Sequence, residues 1–269
     1  MARFQDTVWE YYAAHGRHDL PWRQPAADGG FDPYMILVSE IMLQQTQVTR
    51  VWPKYVAFLE QFPDAATLAR APLGDVLVAW QGLGYNRRAK FLWQAAGMVM
   101  EQFDGRFPSS LKELIRLPGV GANTAGAVMA YAYDEPVAFV ETNIRTVFIH
   151  HFFADATDVP DREVLALVTA ALPSDGSARQ WYWALMDYGT HIKQTVGNTS
   201  RASRSYVRQS PFQGSRRQVR GAVIRELGVR GLSREALAER VNDPRLEEVL
   251  ADLESEGLVR RSSRGWQLS

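Results

Sequence analysis

The stretch LPGVGANTAGAV, residues 117–128, constrains this chain more than any other. Leu117-Pro118 ends one helix, Gly119-Val120-Gly121 makes a tight turn, and the chain from Thr124 onward reads as a second helix. Glycines reach backbone angles closed to other residues and leave the main chain bare. Bare N–H groups at a helix N-terminus form an anion site, and such a hairpin can hold a DNA phosphate without reading sequence. A Gly-rich turn between helices is also a common packing device, so the residues around it have to decide.

With 269 residues the chain is long enough for one large domain or two ordinary ones. At 46% hydrophobic and 22% charged it can bury a core and keep an ordinary charged surface. Lys+Arg and Asp+Glu both number 30, so any basic face must come from local segregation of charge. The absence of cysteine excludes disulfides, zinc–thiolate sites and cysteine-held iron–sulfur clusters. No apolar run approaches the roughly 20 residues of a membrane helix. The start, MARFQDTVWEYY, lacks the layout of a signal peptide. These features predict a cytoplasmic protein away from membranes; a monomer, nucleoid-associated in a bacterium, is the accompanying expectation.

Apolar spacing predicts helices over 3–15, 34–45, 48–62, 67–80 with a break at Ala71-Pro72, 87–103, 111–117 and 125–133. Further helices follow over 144–154, 161–172 and 178–191, and no alternating strand occurs in the first 195 residues. Composition then shifts. Six arginines (201, 204, 208, 216, 217, 220) and no acid lie between Asn198 and Arg220, among serines, Pro211 and Gly214. Helices over 217–227, 234–241 (capped by Ser233) and 245–257 lead to two short strands, 258–261 and 265–268, joined by Ser262–Arg264. Three helices and a hairpin are the order of a winged helix-turn-helix, which serves for binding DNA or protein or as a plain packing module. The expectation is an all-α, two-lobed core over 1–195, with a lobe of residues 24–139 inserted between the terminal helices of the other. A basic linker over 196–214 and a winged-helix-like module over 215–269 complete it.

Glu40 stands in an apolar helix, flanked by Val38, Ile41, Met42 and Leu43. Burial would raise its pKa and let it act as a general acid; a partly wet helix face would make it ordinary. Gln44-Gln45-Thr46-Gln47 is a run of amide and hydroxyl groups fit either for base edges or for capping. Tyr85, on the Gly82–Tyr85 turn, is placed to wedge into a duplex or to pack on its own domain. Glu141 precedes a helix start, where the backbone dipole favours an ionised carboxylate; Thr142 or Asn143 could equally cap that helix. One protonated and one ionised carboxyl divide the acid and cation-stabilising roles of glycosidic bond cleavage.

DPYMILVSEIMLQQTQV, QGLGYNRRAKFL, LPGVGANTAGAV and VETNIRTV occur in the order and approximate spacing of one family. Over roughly residues 3–192 the chain resembles the helix-hairpin-helix DNA glycosylases, most closely the MutY-type adenine glycosylases. The resemblance implies a flipped base, with Glu40 as the acid that protonates it and Asn143 positioning the catalytic groups. It implies that Gln44, Gln45 and Tyr85 probe the gap and the opposite base. It further implies phosphate binding by the N–H groups of Gly119, Val120 and Gly121, and a K+ or Na+ ion on the carbonyls of Ile115, Leu117 and Val120. The partner it implies is double-stranded DNA bearing a mismatch or lesion.

Three departures stand out. Glu141 occupies the place of the family's catalytic aspartate, one methylene longer. Asn123 stands where lyase-active relatives carry a nucleophilic lysine, which predicts cleavage of the base without strand scission. Lys193 falls at the first of four cluster cysteines, so no iron–sulfur cluster and no required cofactor are expected. Arg201, Arg204 and Arg208 then read as phosphate contacts in the segment replacing the cluster loop. The family's domain that reads 8-oxoguanine has no counterpart here, and the winged-helix-like module stands in its place; the resemblance still makes removal of adenine opposite 8-oxoguanine or guanine the leading expectation. Excision of thymine, uracil or a modified pyrimidine, and an inactive DNA-binding protein on a glycosylase core, are the alternatives.

Overall fold

Prolines, glycines and polar caps set most helix ends where the sequence puts them. The computed structural model describes residues 1–263 and 265–269. Helix α1 (Ala2–His15) stops at Gly16, where a Cβ would lie 2.6 Å from the Tyr12 carbonyl oxygen. The Asp32 carboxylate accepts the Tyr34 N–H at 2.7 Å and opens α2 (Pro33–Leu43). This helix ends before the predicted Gln45, because Gln45 adopts a left-handed backbone with φ 55°. Next come α3 (Val48–Gln61), α4 (Ala65–Arg70) with Asp64 as its cap, and α5 (Leu73–Ala79) beyond the predicted Ala71-Pro72 break. After α6 (Arg87–Gln102), α7 (Leu111–Leu114) is a single turn capped by Ser110, shorter than the predicted 111–117. Helix α8 (Ala122–Tyr133) starts at Ala122 rather than Thr124. The chain continues through α9 (Thr142–Phe152), α10 (Asp161–Ala170), α11 (Ala178–Thr195), α12 (Arg216–Val229), α13 (Arg234–Val241) and α14 (Leu246–Ser255). Strands β1 (Val259–Ser262) and β2 (Gly265–Leu268) close it. Among the described residues these are the only strands, so the all-α expectation holds; of the predicted turn, Arg264 lies outside the described residues.

Two compact units divide the chain. The first comprises Met1–Leu37, Ser109–Arg116 and Val120–Arg208; the second comprises Val38–Pro108, Leu117–Gly119 and Gln209–Ser269.

In the first unit α11 packs along α1 and α9 over a core that includes Phe4, Val8, Phe148, Trp181 and Tyr182. The α9–α11 approach depends on Gly189, where a Cβ would meet the Asn143 carbonyl oxygen at 2.5 Å. Asp187 on α11 is buried and accepts hydrogen bonds from the Arg17 N–H at 2.8 Å and from both terminal nitrogens of Arg23 at 2.8 and 2.9 Å. Arg17 also pairs with it through its side chain, and the buried Arg23 lies over the Trp183 ring. One carboxylate thereby ties α11 to the segment after α1. The start of the predicted linker is folded rather than extended. Thr199–Ala202 forms a 3₁₀ turn, Thr199 Oγ1 donates to the Thr146 carbonyl at 2.8 Å, and Val159 pairs with Ser203. Buried Ser200 and Ser203 make this stretch part of the first unit.

In the second unit α6 packs on α4 and α5, and α12 packs on α5, α13 and α14. β1 and β2 pair antiparallel from Val259↔Leu268 to Ser262↔Gly265. Leu232 exchanges two backbone hydrogen bonds with Trp266, at 2.9 and 2.7 Å. Three helices with this hairpin give the predicted winged-helix order, around a core that includes Val223, Ile224, Leu237, Leu250, Leu253 and Trp266.

Removing Asp187 leaves Arg23 buried without its counter-charge, so Asp187→Asn should cost about 3–5 kcal/mol in urea unfolding. The arginines hold the Asp187 carboxyl below its usual range despite burial. Its stabilising contribution is therefore complete above the unfolded value of about 3.9 and is lost as pH falls through the lower folded value. In acid titration the stability gap between the native protein and Asp187→Asn should narrow as pH falls below ~4.

Candidate functional site

In the second unit the side chains named for probing a base gap are organised by Arg88. The apolar face of α6 carries Leu92, Ala95, Ala96 and Val99, and Arg88 lies at its start, buried with them. Its Nη1 donates to the carbonyls of Ile41, Met42 and Gln44 at 2.7, 3.1 and 2.6 Å. Its Nη2 donates to Thr46 Oγ1 and to the carbonyls of Leu83 and Gly84 at 3.2, 3.0 and 3.1 Å. One guanidinium thus joins the C-terminal end of α2 to the Gly82–Tyr85 turn. Burial lowers its pKa to about 10, which leaves it charged at neutral pH.

Glu40 sits half-buried on the last turns of α2 rather than enclosed, and the adjacent Gln44 and Gln45 leave the helix in a turn. Tyr85 follows Gly82 (φ 92°) and Gly84 (φ 72°) and is itself left-handed at φ 48°. A non-glycine residue at such angles is costly and tends to mark a functional constraint; Gln45 and Tyr85 share it. Gln209 Nε2 donates to Gln45 Oε1 at 3.3 Å and also to the Tyr85 hydroxyl. The Arg217 guanidinium lies 5.2 Å from the Tyr85 ring centroid and donates to the same hydroxyl. Arg88 lies 5.5 Å from that ring. A hollow of about 540 Å³ is lined by Gln44, Gln45, Tyr85, Phe91 and Arg217 among others.

In the hairpin only Gly119 takes the left-handed backbone that the sequence suggested for both glycines, at φ 78°. A Cβ there would meet Phe91 Cβ at 2.8 Å. Gly121 has an ordinary φ of −87° and open space about it. Its part is to start α8 without a side-chain cap, leaving the first turn at the exposed Gly121, Ala122 and Asn123. Asn123 accepts the Val140 N–H at 3.4 Å. Leu117 belongs to the second unit, and Ile115, Val120 and Gly121 to the first.

In the first unit Glu141 caps α9, its Oε1 accepting the Asn143 and Ile144 N–H groups at 2.5 and 3.0 Å. The cap is therefore neither Thr142 nor Asn143. Those bonds, Lys193 and Arg145 favour the anion, yet burial outweighs them and pushes the Glu141 carboxyl up. The dipole argument from sequence alone had the opposite sign. Lys193 Nζ donates to Asn143 Oδ1 at 2.6 Å, and Asn143 Nδ2 faces Met186 Sδ at 3.9 Å. Met186, Gly189 and Lys193 follow a helical spacing on α11, a signal that would have placed Lys193 beside Asn143. Arg145 is bidentate to Asp161 at 2.9 and 2.8 Å.

The arginine segment is less free than its sequence suggests. Arg204 forms three hydrogen bonds to Asp158, Arg216 pairs with Glu248 and Asp252, and Arg220 pairs with Glu256 and Asp252. Their acids come from distant parts of the chain. Arg201 and Arg208 are exposed. Among the described residues, no cluster of three or more His, Asp or Glu side chains could hold a metal ion.

The single-turn α7, the turn at Gly119 and the uncapped start of α8 follow the order of a helix, a hairpin and a helix. Residues 38–170 match the family described as "HhH-GPD superfamily base excision DNA repair protein". It is 42% identical over 178 residues to the adenine DNA glycosylase of Mycolicibacterium smegmatis, covering 66% of this chain and 59% of that protein. It is 40% identical over 187 residues to that of Mycobacterium tuberculosis strain H37Rv, covering 68% and 59%. The chain thus spans 59% of the length of each of these relatives. A thermostable thymine-DNA glycosylase superposes with a TM-score of 0.61 at 26% identity, over 70% of this chain and 85% of that one. A trapped endonuclease III–DNA covalent intermediate shares the fold, with a TM-score of 0.56 at 18% identity over 71% and 83%.

Arg88→Met strands buried carbonyls on two segments and should cost about 3 kcal/mol or more in denaturant unfolding. Arg88→Lys should recover little, since a point donor cannot replace the planar fork. Glu141 gives a second expectation. A carboxyl raised on folding stabilises fully below its unfolded value of about 4.3, and that contribution is lost as pH rises through the folded value. Glu141→Gln should therefore flatten the fall in Tm that the native protein shows as pH rises above ~4. A profile parallel to the native one would contradict it.

Proposed function

We propose that this protein is a monofunctional DNA glycosylase of base excision repair that removes adenine mispaired with 8-oxoguanine or guanine. The observation that carries this reading is the pairing of the matched family over residues 38–170 with a carboxylate cap at Glu141 that Asn143 and Lys193 surround. In the proposed reaction Glu40 gives a proton to the extruded base and the N-glycosidic bond breaks. The Glu141 carboxylate stabilises the cationic sugar that remains. Water then bonds to the anomeric carbon and releases a proton, which restores the acid. Because burial raises Glu141, activity should climb with pH as that group ionises.

Double-stranded DNA is the substrate in this reading. The uncapped start of α8 with Gly119, Val120 and Gly121 takes one phosphate, and Gln44, Gln45 and Tyr85 probe the gap. Arg201 and Arg208 add exposed positive charge, whereas Arg204 is engaged by Asp158. Carbonyls of Ile115, Leu117 and Val120 supply only neutral oxygen donors, which suits K+ or Na+ better than a divalent metal. With no cysteine, the chain has no ligands for an iron–sulfur cluster of the usual kind. Asn123 carries no nucleophilic amine, so the strand stays intact. The likeness to a thymine-DNA glycosylase favours a second reading, excision of thymine opposite guanine.

A panel of duplexes carrying A:8-oxoG, A:G, T:G and U:G pairs, treated with alkali to reveal abasic sites, tests both. Product from the adenine duplexes, lost by at least ~10²-fold in Glu40→Gln, is the expected outcome. Borohydride should trap no covalent adduct. Excision of T:G alone selects the second reading, and no product from any duplex refutes both.

A further inference from the structure

The second unit holds a larger groove beside Tyr85, about 950 Å³, running from the Gln45 turn onto the C-terminal module. Five of its lining residues are arginines (Arg50, Arg217, Arg225, Arg240, Arg245), and the one acid is Asp243. Arg245 pairs with Asp243, while Arg225 and Arg240 share Glu226 at 3.9 and 3.0 Å. Two carboxylates against five guanidinium groups leave the groove cationic on a chain with no net charge. Arg50 is exposed and, among the described residues, forms no ion pair. The same groove presents the amides of Gln45, Gln47, Gln81, Gln209 and Gln218, and the exposed ring of Phe212.

Charge, amides and one exposed ring together suit a polyanion that also offers polar edges. Guanidinium forks match phosphate oxygens in pairs, and phosphate contacts position a duplex while amides meet groove edges. An acidic protein surface would use the arginines but leave the row of amides without a role.

We propose that the C-terminal module is part of the DNA-binding surface. Its groove takes the phosphodiester backbone of duplex DNA, and Gln209 and Arg217 hold Gln45 and Tyr85 in their left-handed backbone states against it. This deepens the glycosylase reading and rests on its assignment of Gln45 and Tyr85 to DNA, whereas the groove itself is tested by binding alone. The module would thereby supply the strand contacts that a hairpin gripping one phosphate cannot.

The experiment uses the full chain and a duplex with a non-hydrolysable abasic-site analogue, followed by fluorescence anisotropy across a salt series. Arg50→Gln/Arg225→Gln/Arg240→Gln should weaken binding at least ~10-fold at low salt and lower the slope of log affinity against log salt by about 2–3. The matching triple lysine variant should restore the slope, which a folding defect would not allow; thermal melting of both variants checks the fold directly. Arg217→Met should narrow the affinity ratio between duplexes carrying 8-oxoguanine and thymine opposite the analogue. An unchanged salt slope in the triple glutamine variant overturns the proposal, and loss of polyglutamate binding in that variant would then assign the groove to an acidic protein. Excision with an unchanged slope refutes the groove alone. A lowered slope with no excision from any duplex refutes the glycosylase and keeps the groove.

Discussion

Six oxygen atoms converge on the guanidinium of Arg88, and the second unit's surface chemistry depends on it. The last carbonyls of α2 have no helical partner, and those of the glycine turn face inward where water cannot serve them. A neutral side chain offers too few donors for this task, and an ammonium lacks the reach of a planar fork. The acceptors of Arg88 are five carbonyls and one hydroxyl, and its charge is met by carbonyl dipoles at a helix C-terminus, where a cation is favoured. Since Gln45 and Tyr85 sit on the two segments so joined, their strained backbones are a consequence of that single buried cation.

The first unit uses a different device. Gly189 lets α11 touch α9 at the backbone of Asn143, and that contact brings Lys193 to the amide beside the Glu141 cap. A larger residue at position 189 would push the two helices apart and separate the amine from the amide. Glu141 is then subject to two opposed influences: helix-start N–H groups and two cations favour its anion, and burial opposes it. The balance falls toward a higher pKa, so the anion of Glu141 forms only above the ordinary carboxylate range. The Glu141 side chain folds back onto its own helix start.

Much of this was legible in the residues. The break at Pro72 and the cap at Ser233 were readable because they act locally, and the short strand pair lies next to its own turn. Arg88 and Lys193 were not recognised because their roles depend on which helix faces meet. Yet each falls at helical spacing from small or apolar neighbours that mark the packed face. The arginine run misled in one respect: an absence of acids nearby in sequence says nothing of Asp158, Asp252 or Glu256 arriving from elsewhere. Gly121 misled in another, since its turn needs an open approach and not a positive φ.

The corner after α11 has one more implication. Thr199, Ser200 and Ser203 fasten it with hydroxyls, a 3₁₀ turn and one bridge to Val159, with no cysteine and no metal ligand involved. Nothing in that clasp can be stripped by a chelator or lost to peroxide, and its assembly asks nothing of the cell's iron supply. The corner would therefore keep its shape under oxidising conditions.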